Sequence, residues 1–302
     1  MKNYPSKLLL FGEHAVIKGA DALALPYGYF SGQWRRAEPG KAPELQSQLP
    51  EWLAYLQNLD QSGHLLSRLD LDAFGRDLAE GYYFDSNIPT GYGLGSSGAL
   101  CAALYDKYHT GEQYWKEKGG YPFLRAQLAQ LENFFHGNSS GIDPLVSFIN
   151  HPLRLGNGGL IESVKIPEAS ADSPVLFLLD TGIRRQTGPL VQWFLSQCQN
   201  PDYARAVEEQ LLPANNAAID AFLKGQWNAL FHFYNAISRF ELDYFQAMIL
   251  PQHKTLWTDA LYSGDCLFKL CGAGGGGFLL GITRNWESCE RLLAAYTILR
   301  VY

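Results

Sequence analysis

The sequence has little positive charge, few cysteines and no long apolar run, and each shortage excludes something. Lysine and arginine total 24 against 30 aspartates and glutamates, a formal net charge of -6. A nucleic-acid binder would show a basic face, so no nucleic-acid partner is expected. A small cationic site on an acidic protein remains compatible with this balance. The five cysteines (Cys101, Cys198, Cys266, Cys271, Cys289) are odd in number, scattered and free of C-x-x-C spacing. That argues against a disulfide framework or a zinc site and for buried free thiols in a reducing compartment. No apolar stretch reaches the roughly 20 residues a membrane span needs. The run Leu8–Phe11 is shorter than the core of a secretory signal, so no membrane partner and a cytoplasmic location are expected. No internal repeats occur. What remains is a chain of 302 residues, 47% hydrophobic and 18% charged, long enough for two domains.

The pattern along the chain mixes strands and helices. "SKLLLFG" and "ADALALPYGYFSGQW" are strand-like, the second interrupted by Pro26 and two glycines. Two short helical patterns follow around "PEWLAYLQNL" and "LDAFGRDLAEG", then a strand in "GYYFDSNIP". A helix is predicted from Ser96 or Ser97 through Tyr108, and another over 122–137, bounded by Pro122 and Gly137. Beyond Leu153 come a hairpin, the buried strand "SPVLFLLDTG", four helical patterns between 187 and 262, and "CLFKLCGAGGGGFLLGIT". A final helix, "NWESCERLLAAYTIL", is predicted to close the chain. The polar, proline-flanked "KIPEASADSP" suggests domains of 1–168, carrying the glycine loop, and 169–302.

Three glycine motifs carry chemistry. Gly93–Gly98 and Gly272–Gly277 both match G-x-G-x-x-G. A dinucleotide site would need a strand directly before the loop and a helix directly after it. Pro89 precedes the first loop, and an apolar strand pattern follows the second. Neither loop contains the lysine of a Walker A motif. The first loop still suits phosphate: glycines bare their amides at the head of a helix, and two serines add hydroxyls. Gly137–Gly141 matches G-x-S-x-G, which raises a serine hydrolase using Ser139 as the alternative class. An elbow of that kind wants a strand before it and a helix after it. Here a helix precedes it, and Pro144 disfavours helical backbone at Asp143. Among charged residues, Glu132 reads either as a solvated helix-face residue or as part of a buried site. Lys7 beside an apolar strand reads by default as a solvated edge residue, and His14 as structural.

Taken in order, "KLLLFGEHAVIKG", "IPTGYGLGSSGAL", "HGNSSGIDP", "LDTGIRRQTGPLV" and "KLCGAGGGGF" resemble the GHMP kinases, and within them the mevalonate-phosphorylating branch most. The third segment is similar to the family pattern HGxPSGxDN. The resemblance runs from Lys7 to about Phe278. It implies an α+β, two-domain GHMP kinase fold: an N-terminal domain like ribosomal protein S5 domain 2 and a ferredoxin-like C-terminal domain. It implies ATP and Mg²⁺ as cofactors and a small-molecule alcohol, mevalonate, as the acceptor. Another acceptor (phosphomevalonate, a sugar or a sugar phosphate) is the alternative within the family, and a homodimer is a possible assembly. Gly91, Gly93, Leu94, Gly95, Ser96, Ser97 and Gly98 would wrap the nucleotide phosphates. Ser97 and Glu132 would hold Mg²⁺. Asp143, eleven positions beyond Glu132, would orient the substrate hydroxyl or take its proton, with Lys7 beside it. Glu13, His14, Thr187, Gly274 and Gly275 would shape the acceptor side. Departures from the family pattern are Ser6, Pro144, Cys271 and the cationic pair Arg184–Arg185. That pair reads as a solvated turn or as a clamp on an anionic acceptor.

Overall fold

Packing of the first strand follows from its run of apolar residues. β1 (Tyr4–Phe11) is buried almost throughout: residues 8–11 as expected of a continuous apolar run, and the polar Ser6 and Lys7 as well. The computed structural model describes residues 2–37, 48–112, 114–116, 120–185 and 187–302. The chain separates into two compact units, each drawn from non-consecutive stretches. The first comprises Met1–Lys7, Leu25–Pro89 and Leu94–His151; the second comprises Leu8–Ala24, Thr90–Gly93 and Pro152–Tyr302. β1 and β2 (Ala22–Arg36) each run through both units.

β1 and β2 belong to a five-stranded sheet of order β1-β2-β4-β5, with β3 also paired to β2. β3 is Tyr82–Ser86, β4 Leu153–Leu155 and β5 Ile161–Ser163. The predicted interruption of β2 does not occur: the strand runs unbroken for 15 residues. Pro26 falls between the stretch paired with β4, Ala22–Ala24, and the stretch paired with β3, Gly32–Arg36. The missing proline N–H therefore costs neither of those ladders a bond. At Gly32 the Phe84 ring takes the space a Cβ would need, so glycine is a packing requirement there.

In the first unit the helices are α1 (Gln48–Gln61), α2 (Leu71–Ala79), α3 (Ser96–Tyr108), α4 (Tyr121–His136) and α5 (Ile142–Ile149). Over residues 99–104 α3 is apolar all round, with Ala99, Cys101, Ala102, Ala103 and Leu104 fully buried, the pattern of an interior segment. Trp34, Trp52, Phe74 and Tyr108 pack edge-on and tilted around one another. Each indole is satisfied by a helix carbonyl: Trp34 donates to Ala103 and Trp52 to Leu131.

The second unit is built on an antiparallel sheet of order β7-β8-β6-β9. β6 is Val175–Asp180, β7 Leu267–Leu270, β8 Phe278–Thr283 and β9 Ile298–Arg300. The helices are α6 (Thr187–Gln197), α7 (Pro201–Ala206), α8 (Leu212–Leu223), α9 (Trp227–Tyr244), α10 (Pro251–Ser263) and α11 (Trp286–Leu292). A π turn over Val207–Leu211 joins α7 to α8, so the four predicted helical segments appear as α6, α7–α8, α9 and α10. Tyr234 of α9 ties helix to sheet by donating to the Leu280 carbonyl.

The closing helix is shorter than predicted. α11 ends at Leu292, and Ile298–Arg300 instead pairs with β6 as an edge strand. Helix-favouring Ala294 and Ala295 lie between them; a sheet edge supplied by distant residues outweighs local propensity. No disulfide joins any of the five cysteines. Among the described residues no helix is long and apolar enough to cross a membrane.

Candidate active site

Two helices of the first unit begin close together, and glycine makes this possible. α3 starts after Gly95 and α5 after Gly141, both left-handed at φ 72°, and neither has a side-chain cap. The Ile142 N–H of α5 donates to Ser140 Oγ (3.4 Å), and the amides at the head of α3 suit an outside acceptor. Gly98 lets the two ends touch: a Cβ there would lie 2.7 Å from the Pro144 nitrogen and 2.8 Å from the Asp143 Cβ. Asp143 stands in the first turn of α5, contrary to the expectation that Pro144 would hold it out of a helix. Proline in a helix's first turn sacrifices only an N–H that has no intrahelical partner.

Lys7 reaches this point from β1. Its backbone N–H donates to the Leu94 carbonyl (2.8 Å), and its Nζ lies 2.8 Å from Asp143 Oδ1. Lys7 is buried rather than a solvated edge residue. Leu94 is also buried, and Ser96 is half-buried at the head of α3.

Glu132, on α4, is buried, which resolves its two readings. Ser97 Oγ donates to Oε1 at 2.8 Å and Ser139 Oγ to Oε2 at 2.5 Å. His136 Nε2 lies 2.8 Å from Ser97 Oγ. The carboxyl is pushed up to about 7, first by burial and then by the charge of Asp143, against the two hydroxyls and Lys7. Ser139 lies between α4 and α5 with its hydroxyl on a carboxylate, so the strand that a nucleophile elbow needs is missing. Among the described residues no group of three or more His, Cys, Asp and Glu is gathered as a metal site. A serine hydroxyl beside one carboxylate still suits Mg²⁺, which takes few protein oxygens alongside phosphate.

The second unit holds the remaining predicted residues. Glu13 is sealed off: Lys269 Nζ lies 2.6 Å from its Oε1, an ion pair by distance without hydrogen-bond geometry. Lys269 also donates to the Leu270 carbonyl, and Glu241 Oε2 accepts the Leu270 N–H. Burial pushes the Glu241 carboxyl up to about 8. His14 is backbone-strained at φ 51°, ψ -38° and packs against the Phe194 and Phe245 rings. Its Nε2 lies 3.1 Å from the Ala273 carbonyl, which can only accept, so that nitrogen carries the proton. Nδ1 is left as a buried acceptor with no protein partner among the described residues. Burial lowers the imidazole to about 4, which keeps it neutral at physiological pH.

Gly91 and Gly93 meet the two arginines. Arg184 lies along Gly91, and the Arg185 guanidinium fills the space beside Gly93 and Gly272 while donating to the Cys271 carbonyl (2.6 Å). Arg185 is thus a tie between glycine segments and not a solvated turn. Gly274 is closed on Met248, and Gly275 donates its N–H to the Met248 carbonyl (2.7 Å). These two glycines pack the second loop from within. Thr187 opens α6; its side chain lies outside the described residues. Sequence reasoning missed Lys269, Glu241, His136 and the attachment of Ser139 to Glu132. A lysine inside the apolar strand "LFKL" was the available signal for the buried pair.

Comparison with known proteins agrees with the motif reading. Residues 65–150 match the GHMP kinases N terminal domain. A mevalonate kinase of Thermococcus gammatolerans is 29% identical over 167 residues, which is 48% of this chain and 48% of that protein. The alignment thus spans about half the length of this relative. The L. major mevalonate kinase solved with R-mevalonate superposes with a TM-score of 0.66 at 18% identity, covering 99% of this chain and 95% of that one. The Lactococcus lactis galactokinase solved with galactose gives 0.66 at 16% identity, covering 99% and 92%. At these identities the likeness establishes a shared α+β GHMP kinase fold.

Proposed function

We propose that this chain is an ATP- and Mg²⁺-dependent kinase of the GHMP type that phosphorylates the 5-hydroxyl of mevalonate. The observation that carries the reading is the Lys7–Asp143 ion pair, set where the glycine-headed N-termini of α3 and α5 meet and beside the Ser97–Glu132 oxygen pair. Phosphoryl transfer asks for positioning and charge neutralisation more than for covalent work, and these residue types supply both. The amides at the head of α3 would receive the phosphate oxygens. Ser97 and Glu132 would hold Mg²⁺, which neutralises phosphate charge when bound with ATP. Asp143 would orient the acceptor hydroxyl and take its proton, while Lys7 balances negative charge gathering on the transferred group.

On the acceptor side, the bare His14 Nδ1 would accept a hydrogen bond from a substrate hydroxyl. The relatives' names support mevalonate as that acceptor. A coupled ADP-release screen over mevalonate, phosphomevalonate, homoserine, galactose and heptose phosphates tests the assignment. The expected outcome is the highest kcat/KM with mevalonate. ADP release with none of them, together with labelling of Ser139 by a fluorophosphonate probe, would favour the hydrolase instead.

A further inference from the structure

Ser139 has a role that neither the glycine motif nor the kinase reading assigns. It stands where the family segment HGxPSGxDN has proline, so its hydroxyl is a feature of this chain. Three hydrogen bonds fix it. Its backbone N–H donates to Asn133 Oδ1 (2.7 Å), its Oγ accepts the Gly141 N–H (2.9 Å), and its own hydroxyl proton points to Glu132 Oε2 (2.5 Å). With the Gly141 amide on one lone pair of the oxygen, the O–H turns to the carboxylate.

Glu132 is thereby held at both oxygens. Ser97 holds Oε1 and Ser139 holds Oε2. The two serines come from different places: Ser97 from the first turn of α3, and Ser139 from the loop that carries α4 into α5. A glutamate side chain has three rotatable bonds, and this bracket removes the freedom of its last one. The hydroxyl also sits at the turn that ends with Gly141, the residue from which α5 and Asp143 start. One side chain therefore links the orientation of Glu132 to the loop that aims Asp143.

We infer that Ser139 is a positioning residue for the divalent cation. It presets Glu132 with Oε2 occupied by a hydroxyl and Oε1 directed toward Ser97, so that the cation meets a formed oxygen pair. This rests on the kinase reading of Glu132 and Ser97 as cation ligands. Ser139 acts through Glu132 and takes no part in bond making.

Mn²⁺ binding to the full chain in the presence of a non-hydrolysable ATP analogue, followed by electron paramagnetic resonance of the free ion, tests the inference. Ser139→Ala should weaken Mn²⁺ about 10-fold, the usual scale for losing a residue that orients a metal ligand. Ser139→Thr, which keeps the hydroxyl, should restore wild-type affinity. In steady state, Ser139→Ala should raise the Mg²⁺ concentration for half-maximal rate and leave kcat at saturating Mg²⁺ close to wild type, a split that general loosening of the fold would not produce. If Ser139→Ala loses its folded signal in circular dichroism, Ser139→Cys takes its place, with expected affinity between that of the Thr variant and that of Glu132→Gln. Wild-type Mn²⁺ affinity in the Ala or Cys variant overturns the inference. Failure of the underlying reading looks different: the wild-type chain itself would show no saturable Mn²⁺ binding, or Glu132→Gln would leave it unchanged.

Discussion

Each unit of this protein contains a trio of one lysine and two carboxylates, and the two trios differ in their surroundings. In the first unit Lys7 pairs with Asp143, with Glu132 nearby; in the second, Lys269 pairs with Glu13, with Glu241 nearby. The ion-pair distances are close, 2.8 Å and 2.6 Å. Solvent access differs sharply. The Asp143 side chain is 28% exposed, whereas those of Lys269 and Glu13 are 1% and 2% exposed. The first trio lies beside serine hydroxyls and the glycine-headed starts of α3 and α5, groups that can exchange a partner for a ligand. In the second, Lys269 donates to the Leu270 carbonyl and Glu241 accepts the Leu270 N–H. Ion pairs fully removed from water are costly to assemble and worse to break. Residue type alone therefore does not separate chemistry from architecture; what surrounds the charges does.

The comparison breaks most visibly at Asp143. Asp143→Asn should cut turnover by about a thousandfold, on the scale of 4 kcal/mol for a group that acts on the transition state. Nucleotide binding and the thermal midpoint should change little. Near-normal turnover would remove Asp143 from the chemistry and erase the contrast between the trios.

Lys269→Met should do the reverse. Leaving Glu13 as an unpaired buried charge should cost about 3–5 kcal/mol of stability in denaturant unfolding, and Lys269→Met with Glu13→Gln should recover part of it. Lys7→Met should cost about 1–2 kcal/mol, because water reaches Asp143. Equal losses for the two lysines would show that both trios are structural.

Glu132→Gln sharpens the first trio further. It should raise the Mg²⁺ needed for half-maximal rate by about 10-fold or more. Unchanged metal dependence would leave Glu132 as packing.

Stability against pH carries two opposed contributions from different residues, which overlap between pH 4.5 and 6.5. Between pH 6.5 and about 4 the unfolded chain binds a proton that native His14 refuses, so stability falls as pH falls through that window. From pH 4.5 to about 8, native Glu241 holds a proton that the unfolded chain has lost, so stability falls as pH rises; Glu132 adds in the same direction. Each slope is at most about 1.4 kcal/mol per pH unit. Relative to wild type, thermal midpoints from pH 4 to 9 should hold up better toward pH 4 in His14→Asn and flatten on the alkaline side in Glu241→Gln.

Much of the molecule was legible in the residues taken singly. Pro122 and Gly137 bracket α4 as a helix, and Ser96 begins α3 as expected. The phosphate-suited loop stands out from its glycine content, whereas Glu132 and Asp143 enter through the resemblance to the GHMP kinase segments. What escaped notice depended on a remote partner. β9 forms because β6 offers it an edge, and β2 survives Pro26 because its two paired stretches leave that position between them. Proline in the first turn of α5 misled the reading for a local reason, since a general rule about residues before proline yields at helix starts.

Order along the chain, the glycine segments and the kinds of charged residue were set by the sequence itself, because backbone freedom and side-chain chemistry belong to each residue wherever it ends up. Only the tertiary structure decided which lysine met which carboxylate, which of the pairs kept contact with water, and which hydroxyl closed on Glu132. Those outcomes depend on distances between residues far apart in the chain, and a charge acquires its role from the dielectric and the partners that packing places around it.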